Sequence, residues 1–186
     1  FEAEEVSVAL GVPTVWLGVL KHLADTGGRL GLERLTVGGS AAPPAMIETF
    51  ERTYGVEVLH GWGMTEMSPV GSLARLKKKH RALPYADKLA VKATQGRTLF
   101  GVEMKIVDPS GARLPADGQA QGELLVRGPW VISAYYEDAD ANAAAFDAEG
   151  WFRTGDVGSL DSDGYLRITD RSKDVIKSGG EWISSI

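Results

Sequence analysis

Apolar residues recur along the first third of this chain at two intervals, and the switching between them marks out alternating helices and strands. Trp16, Val19, Leu20 and Leu23 fall three or four apart, behind Pro13 and ahead of Gly27-Gly28. That spacing lays one apolar stripe along a helix opened by proline and closed by glycine. The short run Leu35-Thr36-Val37 predicts a strand, with Gly38-Gly39-Ser40 behind it. A second helix is expected from Pro43-Pro44 to Gly55, turning Met46, Ile47, Phe50 and Tyr54 inward. Val56-Glu57-Val58-Leu59 then predicts a strand running into a glycine-containing loop, Gly61-Trp62-Gly63. Strand, helix and strand within roughly 25 residues make a parallel crossover unit, and ligands of open parallel sheets bind past the carboxyl ends of the strands. Gly38, Gly39, Gly61 and Gly63 are expected at those ends, where a missing Cβ lets backbone approach a ligand closely.

Beyond residue 97 the interval shortens to two. Val102, Met104 and Ile106, and later Leu124 and Val126, alternate with polar positions, and Asp108-Pro109-Ser110-Gly111 and Ala116-Asp117-Gly118 read as turns. A short helix is expected near Asp140 to Phe146, and Asp161-Ser162-Asp163-Gly164 joins two further strands. The last of these turns resembles a calcium loop only superficially, because Ser172 stands where the twelfth-position glutamate belongs. The fold class is therefore α/β: a parallel α/β unit over residues 1–96 and an antiparallel β subdomain over 97–169.

Composition narrows the partners. With 186 residues, 44% hydrophobic and 24% charged, the chain can bury a sizeable core, and its net charge of −5 argues against nucleic acid, which selects basic domains. The basic run Lys77-Lys78-Lys79-His80-Arg81 reads as a solvated loop. The absence of cysteine rules out disulfides, thiolate metal sites and a cysteine nucleophile, and fits a cytoplasmic setting. No apolar run approaches the ~18 residues of a membrane span. The chain opens on Phe1 and closes on Ile186 inside an expected strand, so it reads as a piece of a longer protein.

Chemistry concentrates in Gly61-Trp62-Gly63-Met64-Thr65-Glu66, Gly150-Trp151-Phe152-Arg153-Thr154-Gly155-Asp156, Asp170-Arg171-Ser172-Lys173-Asp174 and Lys177-Ser178-Gly179-Gly180-Glu181-Trp182. The first sets an aromatic plate, flexible backbone, a hydroxyl and a carboxylate side by side, a combination able to grip a nucleotide. In this order the segments resemble the adenylate-forming superfamily and, within it, acyl-CoA synthetases acting on fatty or other carboxylic acids. That resemblance implies a carboxylate joined to ATP as an acyl-adenylate, then transferred to coenzyme A after a small C-terminal domain rotates. It makes residues 170–186 a hinge and the start of that domain.

The resemblance also assigns roles. Gly39, Ser40 and Ala41 border the adenine and the acyl pocket, for which Val12, Trp16, Met67, Pro69 and Val70 are candidate walls. Gly61, Trp62, Gly63 and Met64 wrap the nucleotide, with Trp62, in place of the family's usual tyrosine, against the adenine. Thr65 bonds the α-phosphate and Glu66 holds Mg2+, the two forming the catalytic pair. Asp156 accepts from the ribose hydroxyls, Arg171 reaches the ribose or phosphates, Lys173 is the hinge, and Gly180 with Gly179 lines the pantetheine tunnel. Plainer alternatives stand beside these: a core tryptophan at 62 and at 16, an exposed carboxylate at 66, a turn aspartate at 156, a hairpin turn at 179–180. The family's Ser/Thr/Gly-rich phosphate loop and adenylation lysine are absent from the 186 residues. ATP, Mg2+, coenzyme A and a small carboxylic acid are the implied ligands, with a homodimer as open as a monomer. An amino-acid-adenylating domain that loads a carrier protein and a non-catalytic nucleotide-binding fragment are the competing readings.

Overall fold

The computed structural model describes residues 1–171, 176–178 and 181–183, with the side chains of Glu2 and of everything from residue 171 onward left aside. Lys173, Ser172, Gly179 and Gly180 lie outside the described residues. The chain divides into two compact units, one comprising 1–63 and 72–96, the other 64–71 and 97–186.

The first unit is a parallel α/β layer. β1 (Val8–Gly11), α1 (Pro13–Thr26), β2 (Arg34–Val37), α2 (Pro44–Thr53) and β3 (Glu57–Gly63) follow one another. The strands pair in the order β1, β2, β3, all parallel, with Leu35 level with Ala9 and Val58. Both expected helices form. Pro13 takes the first turn of α1, and Gly27 ends it in the left-handed region. Trp16 and Leu23 are buried, as are Met46, Ile47 and Phe50 of α2. Trp16 meets Phe50 edge-on at 5.9 Å and donates its indole N–H to Thr36 O at 3.2 Å, so its polar atom is satisfied inside the core. Of the two readings of Trp16, the core tryptophan is therefore the one the contacts support. β1 carries no clear alternating signal and the sequence pattern does not anticipate it.

Three features differ from expectation. β3 continues through Gly61 and Trp62 to Gly63, so those residues are strand rather than loop. A Cβ on Gly61 would come within 2.9 Å of Leu73 Cδ2 and 3.1 Å of Ser72 O, so its missing side chain serves close strand packing. The basic run folds into a 3-10 helix, Lys78–Ala82, with His80 buried. Beyond it lies α3 (Tyr85–Lys92), whose Lys92 and Tyr85 both converge on Glu51 of α2. Burial and the Glu51 carboxylate push the Tyr85 phenol up to about 12.

β4 (Val70–Leu73) and the two-residue β5 (Arg97–Thr98) precede the second unit's main sheet. That sheet is antiparallel, in the order β6 (Glu103–Val107), β7 (Gly122–Arg127), β8 (Phe152–Leu160), β9 (Leu166–Arg171), with α4 (Ala139–Ala145) between β7 and β8. Met104, Ile106, Leu124 and Val126 are buried as expected, but the intervening positions are largely covered as well, so burial along β6 and β7 does not alternate. Lys105, Val107, Leu125 and Trp151 are buried too. Lys105 lies over the Trp151 ring at 4.7 Å and pairs with Asp147 at 2.9 Å, which offsets the cost of covering its ammonium. β10 (Ile176–Ser178) and β11 (Glu181–Ile183) form a separate antiparallel pair.

Candidate functional site

The loop after β2 and the end of β3 lie in the first unit. Gly39, Ser40 and Ala41 are exposed, and Gly39 has φ 84°. His60, a residue the motif reading passed over, holds this loop in place. Its Nε2 accepts from Ala42 N at 3.3 Å, which leaves the Nδ1 proton to donate to Ala93 O at 3.2 Å. Both ring nitrogens are occupied by the neutral form. Burial lowers the imidazole below its ordinary 6.5 despite those carbonyl contacts. The available signal was a histidine directly after the apolar pair Val58-Leu59. Next along β3, Trp62 is only 9% exposed, so most of its indole is packed within protein, while Gly63 is exposed.

The motif then passes into the second unit at Met64. A 3-10 turn, Thr65–Met67, leaves Thr65 exposed, Glu66 half-buried and Met67 buried. The Glu66 carboxylate is held: Tyr135 Oη donates to Oε1 at 2.9 Å, and Ile132 N donates to the Glu66 carbonyl at 2.9 Å. Of the candidate acyl-pocket residues, Met67 is fully covered, Val70 is half-buried, and Val12 and Pro69 are exposed.

Asp156 lies at a bulge in β8. Glu123 pairs with Val157 and Leu125 with Arg153, so Thr154, Gly155 and Asp156 together oppose the single residue Leu124. Gly155 takes φ 74°, a conformation that a side chain would strain, and this re-aims the strand. Thr154 Oγ1 donates to Leu124 O at 2.8 Å and accepts from Asp156 N at 3.1 Å, tying the bulge together. Asp156 is 7% exposed and sits level with Arg171 of β9. Tyr135 stacks obliquely on Phe152 at 6.5 Å, so Glu66 is tied to the start of the strand that carries Asp156.

The AMP-binding enzyme family model matches residues 1–136, well over half of the chain. This chain belongs to the AMP-binding enzyme family. The 3-methylmercaptopropionyl-CoA ligase of Ruegeria lacuscaerulensis is 53% identical over 97% of this AMP-binding chain, which covers 33% of that protein. The medium-chain-fatty-acid–CoA ligase of Ectopseudomonas oleovorans is 49% identical over 99% of the chain, again 33% of its own length. Among solved structures, the Bacillus subtilis o-succinylbenzoate CoA synthetase superposes with TM-score 0.79 at 31% identity in complex with its acyl-adenylate intermediate, covering 98% of this chain and 34% of that one. The same synthetase with ATP and magnesium ion superposes at TM-score 0.78 and 32% identity. The chain thus spans about a third of the length of the relatives it matches.

A magnesium site here is tested by its donors. Among the described residues no group of three or more His, Cys, Asp or Glu side chains could hold a metal ion by itself. Mg2+ is usually bound by one or two carboxylates together with substrate phosphates, so a single ordered carboxylate at Glu66 fits it. No helix among the described residues is long and apolar enough to cross a membrane.

Proposed function

We propose that this chain is the part of an AMP-forming acyl-CoA ligase that grips the nucleotide. The observation that carries the proposal is the Thr65–Glu66 turn, where an exposed hydroxyl adjoins a half-buried carboxylate already fixed by Tyr135. In the reaction, an oxygen of a carboxylic acid attacks the α-phosphorus of ATP, and pyrophosphate leaves to give the acyl-adenylate. The thiolate of coenzyme A then attacks the acyl carbon and AMP leaves. Thr65 donates to the α-phosphate, Asp156 takes the ribose hydroxyls, Arg171 reaches the ribose or phosphates, and Trp62 and the loop Gly39-Ser40-Ala41 border the adenine. Glu66 would hold Mg2+, which supplies neutralisation of charge growing on the phosphates. The hinge at Lys173 and the tunnel glycine Gly180 complete the assignment on residues outside those described. That the named relatives are CoA ligases supports a fatty or similar acid substrate over an amino acid loaded onto a carrier protein.

The test is ATP–pyrophosphate exchange by the full-length enzyme across a panel of carboxylic and amino acids. Exchange that depends on a carboxylic acid is expected, followed by thioester formation when coenzyme A is added. Glu66→Ala should lower kcat for exchange by about 100-fold, the scale of losing one preorganised electrostatic contact to the transition state. Exchange driven by amino acids alone, or a Glu66→Ala enzyme with unchanged kcat, would overturn the assignment.

A further inference from the structure

Tyr135 belongs to none of the segments that signalled nucleotide chemistry, yet several elements of the second unit converge on it. One side chain grips its backbone at both ends: Tyr135 N donates to Asn142 Oδ1 at 2.6 Å, and Asn142 Nδ2 donates back to Tyr135 O at 2.9 Å. Asn142 is carried by α4, whose first turn is capped by Asp138 accepting from Ala141 N at 2.9 Å. The Tyr135 ring leans on Phe152, and Phe152 is met edge-on by Phe146 at 5.5 Å, so the phenol has a packed platform behind it. The outcome is a hydroxyl aimed at Glu66 Oε1, delivered by the segment that also bonds the Glu66 carbonyl through Ile132 N. Glu66 is thereby held at its backbone and at its carboxylate from one stretch of chain.

We propose that Tyr135 is the positioning residue that presets the Glu66 carboxylate for its cation, with Asn142 setting Tyr135 in turn. A glutamate has three rotatable side-chain bonds, and ordering them at the moment of metal binding costs free energy. A donor fixed on Oε1 incurs that cost during folding and leaves the carboxylate's other lone pairs pointing one way. The phenol carries an O–H donor and the ionised carboxylate only acceptors, so the direction of the bond between them is fixed. In this role Tyr135 acts on the cation through Glu66 alone. The inference rests on Glu66 being the metal-holding carboxylate, so the experiment includes a control that separates the two.

The measurement is Mn2+ affinity of the full-length enzyme with bound ATP, followed by electron paramagnetic resonance, beside the Mg2+ concentration giving half-maximal pyrophosphate exchange. Tyr135→Phe keeps the ring on Phe152 and removes only the hydroxyl. It is expected to weaken both quantities about tenfold, the lower end for loss of a partner behind a metal ligand. Binding of AMP without metal, measured by calorimetry, should be unchanged. Asn142→Ala should shift metal affinity in the same direction, and it carries the test if Tyr135→Phe melts below assay temperature. The double variant Glu66→Ala/Tyr135→Phe should be no worse than Glu66→Ala alone, since the tyrosine acts only through the carboxylate. If Glu66→Ala loses metal affinity while Tyr135→Phe stays within twofold of wild type, the positioning role is overturned and the reading of Glu66 stands. If Glu66→Ala leaves metal affinity intact, both fall together. Equal loss of metal and metal-free AMP binding in Tyr135→Phe would reduce Tyr135 to a structural residue.

Discussion

His60 shows how a single side chain can couple a core to a site. Its ring spans from the loop after β2, at Ala42, to the end of α3, at Ala93, using one nitrogen as acceptor and the other as donor. Only the neutral imidazole satisfies both partners, and burial accordingly depresses its proton affinity below 6.5. The sign of the resulting pH dependence follows. Below about pH 6.5 the unfolded chain binds a proton on this ring that the folded chain resists, so acid favours unfolding. Stability contributed by His60 is therefore present above that value and lost as pH falls through the window beneath it. Thermal melts should show wild-type stability declining as pH falls below about 6.5, with a flatter profile in His60→Gln, which cannot titrate. Identical slopes for the two proteins would remove the coupling. Trp62, two residues on, is 9% exposed, so most of its side chain is packed within protein.

At the scale of elements, the bulge in β8 does what the sequence motif could only name. Thr154-Gly155-Asp156 is three residues against one, held by a hydroxyl that both donates across to Leu124 and accepts from Asp156 N. Bulges recur where a strand must re-aim a side chain beside a site, and here the re-aimed residue is the candidate ribose acceptor. Thr154→Val keeps the shape and removes both bonds. In the full-length enzyme it should raise KM for ATP about tenfold, the effect of one to two hydrogen bonds, with little change in kcat. Asp156→Ala should move KM in the same direction, and a drop confined to kcat would contradict a binding role at this element. The helices α1 and α2 needed no such correction. Proline at their starts, glycine near their ends and an apolar stripe at helical spacing agree with one another, and elements with that agreement are legible from local pattern alone.

On the scale of the whole molecule, the nucleotide grip proposed for this chain is only part of what the proposed reaction needs. The 186 residues hold no Ser/Thr/Gly-rich phosphate loop and no adenylation lysine, and they cover about a third of their CoA-ligase relatives. Positioned cationic and backbone donors around the phosphates supply much of the barrier lowering in such reactions. The 186-residue chain by itself should therefore give no pyrophosphate exchange above background, and robust turnover would show that the essential groups are all within it. The Gly61-to-Glu66 motif is continuous in sequence, but residues up to Gly63 belong to one compact unit and Met64 onward to the other.

Local pattern by itself determined the helices α1 and α2, the buried apolar positions Met104, Ile106, Leu124 and Val126 of β6 and β7, and the turns, because each depends on residues near one another in the chain. Tertiary structure decided what those signals could not carry. Gly61 became a packing contact because Leu73 and Ser72 lie against it, and His60 became a loop anchor because Ala42 and Ala93 arrive from distant segments. Tyr135 found Glu66 across 69 positions of chain. Periodicity reports which face of an element is buried, whereas a hydrogen bond between separated residues exists only once the elements are packed.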